Sequence, residues 1–345
     1  MTDSNSKTVL VTGSSGFIGT HCVLQLLEQG YKVRGTLRDL DRVKDLREVF
    51  SRHTQAADNL EFIQTDLLKD DGWEESVAGC EYVLHVASPF PNEMPENEDD
   101  LIRPAVDGTL RILKAASEAK VKRVVLTSSV AAIHGHPAEG HALDESDWSE
   151  EVNESADAYA KSKMLAEKAA WDFVKNQAAD HSLELVAINP CNVMGPLLYE
   201  ASLGTSAKAI RGFLSGAYPG TARLSWFLVD VRDVAAAHLV AMTNPKASGN
   251  RYICASEAIW LTDVAKALNK NFAEQGYKIS TVQFPNWFVK VYALFDKTVK
   301  GEVPNLGKEI RISNCKIKDE LGMRFRSAEE SVVAMGRSLI ELGVL

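Results

Sequence analysis

The sequence predicts an α/β fold: a doubly wound parallel sheet of the Rossmann kind, carrying a smaller, mostly C-terminal lobe. Three observations carry that expectation. Short apolar runs rich in β-branched residues alternate with longer amphipathic stretches through the first 190 residues, the order that builds strand-helix-strand units. A glycine-rich turn lies directly between the first such run and the first amphipathic stretch. A later apolar run ends in Thr127-Ser128-Ser129, and the carboxyl ends of parallel strands are where this architecture holds its ligands.

Taken in order, the runs 8–12, 32–37, 60–65, 82–87, 121–128 and 183–189 read as strands buried on both faces. The stretch 17–29, stopped by Gly30, and the stretch 100–119 carry helical periodicity. After Asn189-Pro190 the alternation breaks, and Gly, Pro and aromatic residues mark a looser region through Trp226. Residues 229–242 return to a helical pattern, 251–255 read as a further strand, and the rest reads as irregular structure closed by helices. The expected division is therefore discontinuous: 8–190 with 228–262 for the nucleotide-binding domain, and 191–227 with 263–345 for the lobe that meets the substrate.

The 345 residues are 45% hydrophobic and 25% charged, ordinary for a globular chain with a large core. A net charge of −9 with no basic block argues against nucleic acid or an anionic membrane as partner. Five scattered cysteines lack the close pairs of zinc or redox sites and imply a reducing compartment. The first residues lack a signal-peptide pattern and no apolar run is long enough to span a bilayer, so a cytoplasmic monomer or homodimer is expected.

The turn Thr12-Gly13-Ser14-Ser15-Gly16-Phe17-Ile18-Gly19 spaces its glycines by three. Missing Cβ atoms allow a sharp turn and close approach to a pyrophosphate, while the helix N-terminus that follows offers N–H groups and a positive dipole end. Gly13, Ser15, Gly16, Phe17, Ile18 and Gly19 are thus the expected cofactor loop. At the end of the second run stand Arg38 and, one turn on, Arg42. Guanidinium groups hold a 2′-phosphate bidentately, so NADP(H) is expected rather than NAD. Asp39 stands where an NAD enzyme carries its ribose carboxylate. Asp66 and Leu67, closing the third run, are expected beside the adenine, with a helix cap as the alternative role of Asp66.

Tyr159 and Lys163 are four residues apart on a helical stripe continued by Ala166, Ala170 and Phe173, while Lys161, Lys168 and Lys175 line the opposite side. A cation on a buried stripe needs a partner. A lysine charge ~4 Å from a phenol at an effective dielectric of ~20 is worth roughly 4 kcal/mol, enough to bring a tyrosine towards the range of a general acid. Ser129, at the end of the fifth run, can hydrogen-bond a substrate oxygen and orient it towards Tyr159. The runs 88–91, 130–136 and 192–226 combine apolar and aromatic residues with few charges, and Phe90, His134, Asn192, Tyr199 and Trp226 are the expected pocket residues. His134 and His136 lack a third ligand at metal-site spacing, so no metal is expected.

The motifs TGSSGFIG, VRGTLRD, VLHVASPF, RVVLTSSVAA, LDESDW, YAKSK and INPCNVMGP cover nearly the whole chain. Through them it resembles the extended short-chain dehydrogenases, and among these the dihydroflavonol 4-reductase-like carbonyl reductases. The resemblance implies a catalytic Ser129, Tyr159 and Lys163, with Lys163 also on the nicotinamide ribose. It places Val86, Ala87, Ser88, Thr127, Pro190 and Val193 on the nicotinamide half, and Arg38 and Arg42 on the 2′-phosphate. The resemblance implies an NADPH-dependent carbonyl reductase, and the few charges in the pocket runs point to a small to medium neutral aldehyde or ketone as its substrate.

Two departures stand out. Val106-Asp107-Gly108-Thr109 occupies the stretch where many relatives carry an asparagine, so no fourth relay residue is carried over. His134 stands five residues beyond Ser129, where similar plant reductases carry the Asn or Asp that meets ring hydroxyls, which argues against a flavonoid. Two alternatives stay open. One is a nucleotide-sugar epimerase, dehydratase or hydroxysteroid dehydrogenase on the same fold; the other is a regulator that binds NADPH without chemistry.

Overall fold

The computed structural model describes residues 7–89, 97–134, 142–149, 158–177, 183–309 and 311–345. Its strands are β1 (Thr8–Thr12), β2 (Lys32–Leu37), β3 (Leu60–Gln64), β4 (Cys80–His85), β5 (Arg123–Thr127), β6 (Glu184–Pro190), β7 (Asn192–Met194), β8 (Ser225–Asp230), β9 (Arg251–Cys254) and β10 (Glu257–Trp260). The helices are α1 (Phe17–Glu28), α2 (Val43–His53), α3 (Trp73–Val77), α4 (Asp99–Glu118), α5 (Ala158–Lys175), α6 (Thr205–Leu214), α7 (Val231–Thr243), α8 (Leu261–Phe272), α9 (Asn286–Tyr292), α10 (Lys297–Glu302), α11 (Cys315–Leu321) and α12 (Ala328–Glu341). No described helix is long and apolar enough to cross a membrane.

The residues divide into two compact units. The first comprises Met1–Pro190, Val234–Cys254 and Asn314–Met323. Its sheet runs β3-β2-β1-β4-β5-β6-β9, and every neighbouring pair is parallel. Val9, Leu10 and Val11 are fully buried and all of β5 is buried, as expected of strands covered by helices on both faces. Beneath α3, α4 and α5, Leu10, Val83, Val124 and Leu126 pack against Trp73, Ile112, Leu113 and Ala170. From β1 the chain winds outward to β3, and from β4 it winds the other way. The reversal between β1 and β4 opens the crevice in which such sheets bind ligands.

The second unit comprises Cys191–Asp233, Ala255–Ser313 and Arg324–Leu345. Its sheet is β10-β8-β7, with β8 antiparallel to β10 and parallel to β7. The units differ in segmentation from the expected 228–262 and 263–345. Ser225–Asp230 is an extended aromatic and β-branched strand whose partners are β7 and β10, so helix α7 begins at Val231 rather than at 229. Asn314–Met323, including α11, belongs with the first unit, where α11 packs on β9.

Candidate active site

The turn after β1 is shaped by what its glycines lack. Gly13 has φ +64°, and a Cβ there would lie 2.9 Å from the Cα of Ala87. A Cβ on Gly19 would lie 2.1 Å from the carbonyl oxygen of Gly13, so the first turn of α1 sits directly against the loop. The Gly16 N–H donates to Gly13 O at 2.9 Å, and α1 starts with no side-chain cap. Ser15, Gly16, Phe17 and Ile18 thus surround a helix N-terminus whose N–H groups and dipole favour an anion.

Beneath this loop, Ser14 Oγ donates to the Thr36 carbonyl at 3.0 Å and Gly13 N–H to Thr36 Oγ1 at 3.4 Å. These bonds tie the turn to the end of β2. The same strand end forms, with Ser15, Leu37, Arg38, Asp39 and Arg42, a cavity of about 280 Å³. Arg42 donates to Ser15 Oγ at 3.3 Å. Asp39 turns one carboxylate oxygen onto the N–H of Asp41 at 2.9 Å, capping the short turn Leu40–Arg42. A glycine-spaced loop beside two guanidinium groups fits the pyrophosphate and 2′-phosphate of NADP(H). Asp66 closes the turn after β3, where its Oδ1 accepts from the Leu68 N–H at 3.0 Å.

Around Lys163 the sheet and α5 meet. Tyr159 and Lys163 lie one helical turn apart, the ammonium 5.8 Å from the centre of the tyrosine ring. Lys163 is buried; burial pushes it down to about 8, with Glu167 acting in the opposite direction. It borders a cavity shared with Leu67, His85, Ala87, Ser88, Thr127 and Ser128. Thr12 Oγ1 accepts from the Ala87 N–H at 3.0 Å and meets His85 Nδ1 at 2.8 Å. With one hydrogen and one lone pair left after the Ala87 bond, the Thr12 hydroxyl satisfies Nδ1 in either tautomer of the imidazole. Burial and the Lys163 charge hold His85 neutral, pushed down to about 3.

At the end of β5, Thr127 Oγ1 lies 2.6 Å from Nε2 of buried His238, whose Nδ1 faces the Val234 carbonyl at 2.7 Å. Ser128 Oγ donates to Glu167 at 2.5 Å. Ser129 Oγ accepts from the Ala131 N–H at 3.1 Å and caps the turn Val130–Ala132, which leaves the serine its own hydrogen to donate. Val86 lies between β4 and Ala87, its N–H bonded to the Leu84 carbonyl, and Pro190 is the last residue of β6. His85 and Glu167 are the residues the sequence reading did not single out. A signal existed only for Glu167, which is four residues beyond Lys163 on the same stripe.

Of the expected substrate residues, Phe90 lies outside the described residues, as does His136. His134 follows Val130–Ala132, its carbonyl accepting from Ser149 Oγ at 2.8 Å. The second unit holds the others. Asn192 and Val193 are in β7 and Trp226 in β8, with Asn192 Nδ2 donating to the Phe227 carbonyl at 3.2 Å. Tyr199 is buried and its carbonyl accepts from Ser202 Oγ at 2.7 Å. Cys191 is buried, and burial raises its thiol far from reactivity.

Comparison with known proteins finds relatives along nearly the whole chain. The family described as NAD dependent epimerase/dehydratase matches residues 9–255. Cinnamoyl-CoA reductase 1 of Petunia hybrida is 36% identical over 351 residues, covering 100% of this chain and 96% of that protein. Dihydroflavonol 4-reductase of Gerbera hybrida is 35% identical, covering 83% of this chain and 77% of that protein. The crystal structure of yeast methylglyoxal/isovaleraldehyde reductase Gre2 complexed with NADPH superposes with a TM-score of 0.81 at 30% identity, covering 98% of this chain and 100% of that one. Fold, loop and sequence together place the chain in the NAD dependent epimerase/dehydratase family, among the extended short-chain dehydrogenases similar to dihydroflavonol 4-reductases.

Proposed function

We propose that the chain reduces a small to medium neutral aldehyde or ketone to the alcohol, with Tyr159 as proton donor. It is an oxidoreductase acting on carbonyl and CH–OH groups, and its cofactor is NADP(H). The observation that carries the reading is Lys163, a buried ammonium one turn from Tyr159 at the carboxyl ends of the central strands. When bound, NADPH supplies the hydride that goes to the carbonyl carbon. Tyr159 gives its phenolic proton to the carbonyl oxygen, while the Lys163 charge stabilises the phenolate left behind. The Ser129 hydroxyl donates a hydrogen bond to the same oxygen and holds it towards Tyr159.

Gly13, Ser15, Gly16, Phe17, Ile18 and Gly19 take the pyrophosphate, and Arg38 and Arg42 the 2′-phosphate. Asp66 and Leu67 stand on the adenine side, and Val86, Ala87, Ser88, Thr127, Pro190 and Val193 on the nicotinamide side. Phe90, His134, Asn192, Tyr199 and Trp226 meet the substrate. The scattered cysteines support a cytoplasmic setting. The test is NADPH oxidation over aldehydes, ketones, diketones, hydroxyketones and cinnamoyl thioesters. Turnover of neutral carbonyls is expected. If only thioesters or nucleotide-linked substrates turn over, the substrate class is wrong; if nothing does while NADPH binds tightly, the reductase reading itself fails.

A further inference from the structure

Four residues after Lys163 stands Glu167, a carboxylate with no exposed surface that the proton and hydride transfer above does not use. Its Oε2 accepts from Ser128 Oγ at 2.5 Å and from Asn189 Nδ2 at 2.8 Å. Its Oε1 accepts from Arg251 Nε at 2.6 Å and from Trp171 Nε1 at 3.2 Å. The donors come from the ends of β5 and β6, from β9 and from α5 itself. Ser128 is held on its other side as well, its N–H donating to the Ile188 carbonyl at 2.8 Å. Arg251 extends the network, donating to the carbonyls of Glu145 and Asp147 at 3.0 and 2.9 Å and lying 3.6 Å over the Trp148 ring.

Four donors saturate a carboxylate. A buried ion pair is nonetheless weak as a source of stability, because packed apolar residues of similar volume do as well or better. Its place in the fold gives it a use. Ser128 is the residue immediately before Ser129, and Glu167 is one turn below Lys163 and two below Tyr159.

We infer that Glu167 is a positioning residue for the reduction: by tying Ser128 to α5 it sets the spacing of Ser129 from Tyr159 and Lys163, and it holds a carboxylate one helical turn from the Lys163 ammonium. The inference rests on the function proposed above. Among the described residues that line the Lys163 cavity, Glu167 is the carboxylate. From β4 faces neutral His85, from β5 the hydroxyls of Thr127 and Ser128, from α4 Ala105 and Thr109, and on α5 the Tyr159 phenol. Among the described residues, Arg251, from β9, is the cation paired with the carboxylate.

Three variants separate tie from charge. Ser128→Ala cuts the hydroxyl tie and keeps every charge, leaving the Asn189 bridge from Glu167 to the Ser129 carbonyl; Glu167→Gln removes the carboxylate charge and leaves Arg251 unbalanced; Glu167→Gln with Arg251→Gln restores neutrality. For Ser128→Ala, kcat is expected to fall about tenfold, with the NADPH dissociation constant and the alkaline limb of the pH profile in place. For Glu167→Gln the limb moves towards acid, because the lost carboxylate had favoured the Lys163 ammonium, and in the double variant it moves back. A limb that stays put in Glu167→Gln, whatever the loss of rate, leaves Glu167 a merely structural role and overturns the inference. Unchanged kcat in Ser128→Ala overturns it independently, should Glu167→Gln fail to fold. If the parent protein reduces no carbonyl, it is the proposed function that has failed; NMR titration of the Lys163 ammonium then still decides the coupling, an equal midpoint in parent and Glu167→Gln overturning it.

Discussion

Tyr159, Lys163 and Arg38 have separable jobs under the proposed function, and single substitutions should show it. Tyr159→Phe removes one hydroxyl and no charge, so turnover is expected to vanish while NADPH binding stays nearly intact. Lys163→Ala is expected to impair both, because it takes away a buried cation beside the cofactor site. Binding can be read without turnover: NADPH at a hundred times its dissociation constant stabilises the folded state by about 2.7 kcal/mol, which appears as a melting shift. Substantial carbonyl reduction by Tyr159→Phe would refute the mechanism. At the other end of the cofactor, Arg38 borders the polar cavity with Arg42 and Ser15. Losing one charge-assisted contact to a phosphate typically costs about 1.5 to 3 kcal/mol, so Arg38→Ala should weaken NADPH about tenfold or more and leave NADH almost unchanged. Fluorescence titration of both cofactors decides this, and an equal loss for both would remove Arg38 from the 2′-phosphate.

The strand-turn-helix element of β1, the glycine turn and α1 is the most constrained part of the site, because backbone rather than side chains shapes it. A Cβ at position 19 would meet the Gly13 carbonyl oxygen at 2.1 Å, a clash that no rotamer relieves. Gly19→Ala should therefore destabilise the protein by about 1 to 3 kcal/mol, the usual range for overpacking, and weaken NADPH by deforming the loop. Urea denaturation with a parallel NADPH titration checks both, and a fold of parental stability would show that α1 can shift away. Elements of this kind were legible in the sequence: β1 and β2 have the bounds their apolar runs predict, and α5 carries Tyr159 and Lys163 on one face. The second unit was less so. β7 and β10 are three and four residues long, too short for a period to show, and the end of β8 merged with the helical pattern of α7. Glu167 and Arg251 are 84 positions apart, so their pairing belongs to the topology of β6 and β9 and to no local motif. His85 was hidden because a strand-end histidine among apolar residues has no periodic signature.

At the scale of the whole molecule, the first unit folds around two imidazoles that it keeps uncharged. His85 and His238 are both buried; burial pushes the first down to about 3, with help from the Lys163 charge, and the second down to about 4 against a hydrogen bond to the Val234 carbonyl. In the unfolded chain a histidine titrates near pH ~6.5. Between those limits the unfolded state binds more protons than the folded one, so stability rises with pH. The contribution is fully present above about pH 6.5 and is lost as the pH falls, at about 1.4 kcal/mol per pH unit for each imidazole. Moving from pH 6 to pH 5 should then cost about 2 to 3 kcal/mol, a sizeable share of the 5 to 15 kcal/mol typical of folded proteins. Urea denaturation midpoints of the cofactor-free protein, measured at half-unit steps from pH 7 to pH 5, give the slope directly. His238→Gln and His85→Gln should each remove about half of it, at some cost in stability at pH 7 because each imidazole also holds a threonine hydroxyl, Thr127 or Thr12. A midpoint that stays level from pH 7 to pH 5, or a slope that survives both substitutions, would mean that the two histidines take up protons in the folded state.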